Sequence, residues 1–336
     1  MHPYAVAPHE DHYVTLPSGD RYHVVLFGGS DEVYRQRGEA PPPVLFCVHG
    51  AGMSSSNYFV LATHLVQQHH EAGGVEAEAD GWPGIVRVVT YDMRCHGDST
   101  YSGGEGNLTL QVLVDDFRGV LTAVKTTLFA DTPRFYVIGH SLGGSIVVNT
   151  LIKAKDLMAM VAGVVLLDVV EGTAKVSLQY MDKFLQDRPL QFADVAEATQ
   201  WFLQRGGMRS PAAAAVTVPP LLKRVDNHYE WKSDLAAMAS VWAEWFNGLD
   251  DAFVKLPGPK ILCLANAERL DVALTVAQMQ GKFQFEVLGN GCGHYVMDDQ
   301  PSVLAAKLRR FIRRIETMSE KLRFCTMKAA PPAAAM

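Results

Sequence analysis

A serine set between glycines, Gly139-His140-Ser141-Leu142-Gly143-Gly144, offers a hydroxyl that could attack an acyl carbon. The glycines have a steric job. Without Cβ atoms at 139 and 143, a strand and a helix can crowd the turn, and Ser141 can hold a strained backbone with its hydroxyl exposed. A serine hydroxyl alone is a weak nucleophile. It needs an imidazole within hydrogen-bond reach as base, and that imidazole needs a carboxylate to fix its tautomer. His294, in Gly291-Cys292-Gly293-His294, is the natural base. The acid stays open at this point: Asp168 follows one apolar run, while Glu268 and Asp271 follow another. The negative charge that develops on an attacked carbonyl calls for two backbone N–H groups. The amide of Leu142 is one, and the amide of Ala51, in His49-Gly50-Ala51-Gly52, is the expected second.

Those residues need a scaffold. Residues 134–138 are apolar, aromatic and β-branched and read as a buried strand, and 145–149 open a helix. Residues 44–48, 85–91, 161–167, 260–264 and 283–288 read as further strands, and 57–70, 110–129 and 301–314 as helices, with Asp115 and Asp116 facing solvent. Near-continuous apolar strands alternating with helices give an α/β fold, a mostly parallel sheet covered on both faces. Residues 13–16 and 21–27 form an antiparallel hairpin at one edge, 30–43 a loop, and 71–84 a surface loop. Strand, sharp turn and helix around Gly-x-Ser-x-Gly resemble the nucleophile elbow of the α/β-hydrolases, whose chain order of serine, acid and histidine is kept here. Serine at the elbow excludes a nucleophilic-aspartate enzyme. His49, His96 and His140 are expected to brace loops, and Asp92 and Arg94 to bind each other or nearby backbone.

The fold divides as core 1–170, a helical lid 171–250, core 251–318 and a tail 319–336. The lid reads as helices over 176–185, 192–204, 211–225 and 229–246. Its basic residues Arg188, Arg205, Arg209, Lys223, Arg224 and Lys232 are expected on a solvated face. The last stretch, 327–336, is Ala/Pro-rich and expected to be disordered. The 336 residues are 48% hydrophobic and 20% charged, which suits a large core and excludes global disorder. A net charge of -6 argues against a broad nucleic-acid surface. Five scattered cysteines, no Cys/His cluster, no leader over residues 1–16 and no apolar run long enough for a bilayer predict a cytoplasmic or nuclear protein without metal.

Several blocks together are more specific than the elbow. They are Leu167-Asp168-Val169-Val170-Glu171-Gly172-Thr173-Ala174, Trp242-Ala243-Glu244-Trp245-Phe246-Asn247-Gly248-Leu249, and Arg269-Leu270-Asp271 followed by Gln278-Met279-Gln280-Gly281-Lys282-Phe283-Gln284. Phe184-Leu185, Arg188-Pro189 and Phe192 join them. In these the chain resembles the protein phosphatase methylesterases over residues 43–314. The resemblance implies a serine esterase that hydrolyses the methyl ester on the C-terminal leucine of a type-2A protein phosphatase catalytic subunit. The phosphatase and its holoenzyme would be the partners, with no cofactor, nucleic acid or membrane. It implies Asp168 as the acid beside Ser141 and His294, and Gly50, Gly52, Glu171, Gln280 and Lys282 as substrate-binding candidates. Family members are thought to align the triad only when the phosphatase docks. Animal members resembling this chain carry a long lid insertion where this one runs almost directly from Val225 to Tyr229, and Glu268 stands where members often have Asp. The alternatives are a general small-molecule carboxylesterase and a phosphatase-binding inhibitor module with incidental esterase activity.

Overall fold

The computed structural model describes residues 4–67, 84–101, 108–289 and 291–329. In chain order the strands are β1 (His9–Thr15), β2 (Arg21–Phe27), β3 (Val44–Val48), β4 (Arg87–Tyr91), β5 (Phe135–His140), β6 (Val161–Leu167), β7 (Gln191–Phe192), β8 (Leu222–Val225), β9 (His228–Trp231), β10 (Lys260–Leu264) and β11 (Gln284–Val287). Eight of them form the central sheet in the order β1-β2-β4-β3-β5-β6-β10-β11. The β1–β2 hairpin and the β2–β4 pair are antiparallel, and every other pairing in this sheet is parallel. Every residue of β3 to β6 and of β10 is buried. Alternate side chains therefore point to opposite covered faces. Phe46, Val89 and Val137 pack with Phe117 and Leu121 of helix Leu110–Thr127 and with the helix Leu142–Lys153. Leu45, Val88 and Ile138 pack with Leu61 of helix Phe59–Val66 and with Leu308 and Phe311 of helix Pro301–Ala329. Each such large side chain contributes roughly 1.5–3 kcal/mol when fully buried.

Several expectations give way. Residues 30–43 are not all loop: Asp31–Arg37 is a helix, tied down because Asp31 is buried against Arg87 and Thr132. Asp116 does not face solvent, because Arg94 draws it inward with two hydrogen bonds of 2.7 and 2.8 Å. Arg94 also bonds Asp20 and Tyr22, so it is not the partner of Asp92, which accepts from His23 and from the amides of Ser55 and Asp98. The last helix continues past residue 314 to Ala329, into the expected tail. The loop read over 71–84 falls, up to residue 83, outside the described residues.

The lid is not purely helical. It holds a second sheet in the order β7-β9-β8, antiparallel throughout. Asp226, at φ 47°, opens the two-residue turn between β8 and β9. The turn of that hairpin is what lies between Val225 and Tyr229. The lid's first helices, Glu171–Leu178 and Met181–Asp187, bury no residue. Its last part is anchored instead: the Trp245 indole donates to the Leu108 carbonyl at 2.9 Å, and its carbonyl accepts from Ser145 on the helix behind Ser141. Among the described residues no helix is long and apolar enough to cross a membrane.

Candidate active site

The strand β5 ends at His140, and the helix Leu142–Lys153 begins one residue later. Ser141, the hinge between them, holds φ 52° and ψ -120°. A non-glycine residue there costs roughly 1–3 kcal/mol and persists only when its surroundings enforce it. They do so by close backbone approach. A Cβ on Gly139 would lie 2.4 Å from the Gly143 carbonyl oxygen, and one on Gly143 would lie 2.2 Å from that of Val48. The ladder fixes the neighbours: the Ser141 amide donates to Leu167 at 3.1 Å, and the Asp168 amide to Cys263 at 2.8 Å. Asp168 leaves β6 in the left-handed region too, at φ 48°.

Of the three carboxylates left open above, Asp168 is the one that meets His294. Its Oδ2 accepts from His294 Nδ1 at 2.7 Å, and its Oδ1 from the Ala265 amide at 3.0 Å. Arg269 also donates to Oδ2. Burial alone would raise this carboxyl. The His294 imidazole, by hydrogen bond and electrostatics, then the Arg269 charge and the Ala265 amide outweigh it and hold Asp168 down at about 2. Asp168 is therefore ionised at neutral pH. With its proton on Nδ1, His294 keeps Nε2 free to accept another. Glu268 is exposed, and Asp271 caps helix Val272–Met279 by accepting from the Leu274 amide at 2.8 Å. Among the described residues no hydrogen bond joins His294 to Ser141, though both line one cavity of about 340 Å³.

Gly50, Ala51, Gly52 and Leu142 line the same cavity. The Gly52 amide is already committed to His96 Nε2 at 2.9 Å. Leu142 opens the helix Leu142–Lys153, whose N-terminal dipole favours negative charge in the cavity. Three histidines brace the surroundings. His49 Nε2 accepts from the Met93 amide at 3.0 Å, and His49 Nδ1 bonds the Gly50 carbonyl at 2.8 Å. His96 Nδ1 bonds the Arg94 carbonyl, and His140 Nε2 the His294 carbonyl. Burial pushes both His96 and His140 down to about 3, so both are neutral.

Glu171, Gln280 and Lys282 are not brought into this cavity. Glu171 lies in a separate groove, its amide bonded to Asp250 and its carboxylate to Lys175. Gln280 and Lys282 are exposed at the end of helix Val272–Met279. What the residues did not disclose is the lining from the lid, Met181, Phe184, Arg188, Trp201 and Trp242, and a second cation, Arg269, from the loop after β10. Arg188 departs from the solvated face expected of it. The aromatic density of 180–246 was the signal for an apolar pocket. Elsewhere, His23, Asp92 and Asp98 lie close enough to share a metal, but each is engaged: His23 with Asp11 and Asp92, Asp92 with two amides, Asp98 with Lys232.

A strained serine at a strand–helix turn and a buried carboxylate bonded to an imidazole in one cavity fit a serine hydrolase of the α/β class. A sequence model described as the alpha/beta hydrolase family matches residues 44–307, and the chain belongs to that family. It is 34% identical to the probable protein phosphatase methylesterase 1 of Caenorhabditis elegans, over 86% of this chain and 73% of that one. Protein phosphatase methylesterase 1 of Debaryomyces hansenii is 31% identical over 95% and 78%, and that of Homo sapiens 30% over 84% and 78%. Within the hydrolases the chain is thus a member of the protein phosphatase methylesterases. Among solved structures, E-2-(acetamidomethylene)succinate hydrolase aligns at TM-score 0.66 and 19% identity, over 91% of this chain and 100% of that one, a likeness of fold alone.

Proposed function

We propose that this protein is a serine methylesterase that removes the methyl group from the C-terminal leucine of a type-2A protein phosphatase catalytic subunit. The observation that carries the reading is the kinship with protein phosphatase methylesterases over most of the chain, joined to a 2.7 Å Asp168–His294 contact in the cavity that holds Ser141. His294 Nε2 takes the Ser141 proton as Oγ attacks the ester carbonyl. Asp168 holds the imidazole and stabilises the imidazolium. The amides of Leu142 and Ala51 hold the oxyanion, and the loss of one such donor costs about a hundred- to thousandfold. The tetrahedral intermediate collapses, His294 returns the proton, and methanol leaves. Water then attacks the acyl-enzyme by the same route, giving a free carboxylate and restoring Ser141. No step calls for a cofactor. Scattered cysteines favour a cytoplasmic or nuclear site of action.

The test uses carboxymethylated phosphatase catalytic subunit beside a simple chromogenic ester. Demethylation by the wild type and not by Ser141→Ala, with slow turnover of the simple ester, is the expected result. Fast cleavage of the simple ester without demethylation would replace this reading with a general esterase.

A further inference from the structure

Arg188 stands in an unusual place for a cation. It lines both the Ser141 cavity and a neighbouring cavity of about 450 Å³, so it forms part of the wall between them. Its guanidinium lies 4.2 Å from the centre of the Trp231 ring. That ring is itself held, its Nε1 donating to the Pro189 carbonyl at 2.8 Å and its faces and edges packed by Phe192, Trp201 and Phe202. Arg188 is thus positioned by stacking, with Asp234 close enough to favour its charge but not in an ion pair with it. Among the described residues no hydrogen bond or ion pair to its guanidinium occurs. Nearby carboxylates are engaged elsewhere. Asp234 caps the Ala236 and Ala237 amides, Glu230 bonds His228 and Lys223, Asp98 bonds Lys232, and Asp168 serves His294 and Arg269. Burial pushes the Arg188 guanidinium down to about 10, so it remains charged at neutral pH. A half-buried cation held by a ring, with no salt bridge of its own, keeps its hydrogen-bonding fork for an anion in the pocket.

We propose that Arg188 is the anion-binding residue of the ester pocket and receives a carboxylate carried on the acyl side of the substrate. An arginine fork takes a carboxylate in two parallel hydrogen bonds, which gives direction as well as charge. The inference rests on the ester-hydrolase reading above. The carboxylate has two chemical sources: an acidic side chain upstream of the esterified residue, or the free chain terminus that hydrolysis leaves behind.

The experiment compares wild type, Arg188→Met and Arg188→Lys. The substrates are two peptides ending in leucine methyl ester that differ only by Glu or Gln upstream, and the p-nitrophenyl esters of glutaric and butyric acids. The inhibitors are the corresponding free-acid and amide peptides. For an acidic side chain, the Glu/Gln ratio of kcat/KM falls about tenfold to a hundredfold in Arg188→Met, chiefly through KM, and partly returns in Arg188→Lys. For the product terminus, inhibition by the free acid weakens by the same factor while the amide changes little. Equal loss on both members of every pair means a structural role and overturns the proposal, as does an unchanged ratio with unchanged inhibition. Failure of the wild type to demethylate carboxymethylated phosphatase catalytic subunit, with an Arg188-dependent preference for the glutarate over the butyrate ester, would remove the methylesterase reading and leave the anion site standing.

Discussion

At Asp168 a single carboxylate serves three donors: the His294 imidazole, the Ala265 amide and the Arg269 guanidinium. Replacing it by Asn leaves the shape and presents an amide where His294 needs an acceptor. Steady-state kinetics should show kcat down about ten-thousandfold. Asp271→Asn, which disturbs only a helix cap, should stay within a few fold of wild type. The same residue writes a pH signature. Its folded value, about 2, lies below the unfolded value near 4, so its stabilisation is full above about pH 4 and disappears as pH falls towards 2. That stabilisation is on the order of 2 kcal/mol. Denaturant titrations of wild type and Asp168→Asn should differ most above pH 5 and converge by about pH 2. Ser141 and His294 were legible in the sequence because the elbow's steric demand leaves glycines behind and the fold's chain order fixes the base. Asp168 was one of three carboxylates after strand ends, and only the resemblance picked it out. Arg188 was legible as a cation but not as a pocket residue, since its place depends on the Trp231 ring beneath it.

The element that concentrates the fold's constraint is the turn between β5 and its helix. Gly143→Ala would drive a Cβ to 2.2 Å from the Val48 carbonyl oxygen, against backbone that cannot yield without moving the oxyanion loop. We expect about 3 kcal/mol of lost stability, read as a fall in Tm, and loss of esterase activity even in the fraction that folds. Gly248, at positive φ but with open space around a Cβ, has no comparable clash. The parallel strands could be read directly because burial on both faces makes them continuous apolar runs. The lid strands could not. Leu222–Val225 and His228–Trp231 are four residues each, with Lys223 and Arg224 exposed and Glu230 half-buried. Their pairing, rather than their composition, makes them strands. The helix Asp31–Arg37 hid for a related reason: it is held by a carboxylate reaching Arg87 and Thr132, far along the chain.

For the whole molecule, Arg87 is a central tie. It is wholly buried, bonds Asp31 at 2.9 Å and Thr132 at 2.8 Å, and packs near the Phe129 ring, so it joins β4 to two peripheral segments. Arg87→Met would strand Asp31 as a buried charge and should cost about 3–5 kcal/mol in chemical denaturation. Arg87→Met combined with Asp31→Asn should recover part of it. A different asymmetry governs the cavity's two sides. One side, around Trp242, Trp245 and Phe253, is core, and Trp245 is hydrogen-bonded to the helix that carries Ser141. The other, Glu171–Leu178 and Met181–Asp187, has no fully buried residue and packs only partly buried side chains such as Leu178 and Phe184 on the core. Opening free energies follow burial, so amide protons over 171–187 should exchange with solvent deuterium long before those over 242–253. The cavity then behaves as a doorway with one fixed jamb and one swinging leaf. A bulky guest can be admitted by moving the leaf while the serine, whose helix is fastened to the jamb, stays in place.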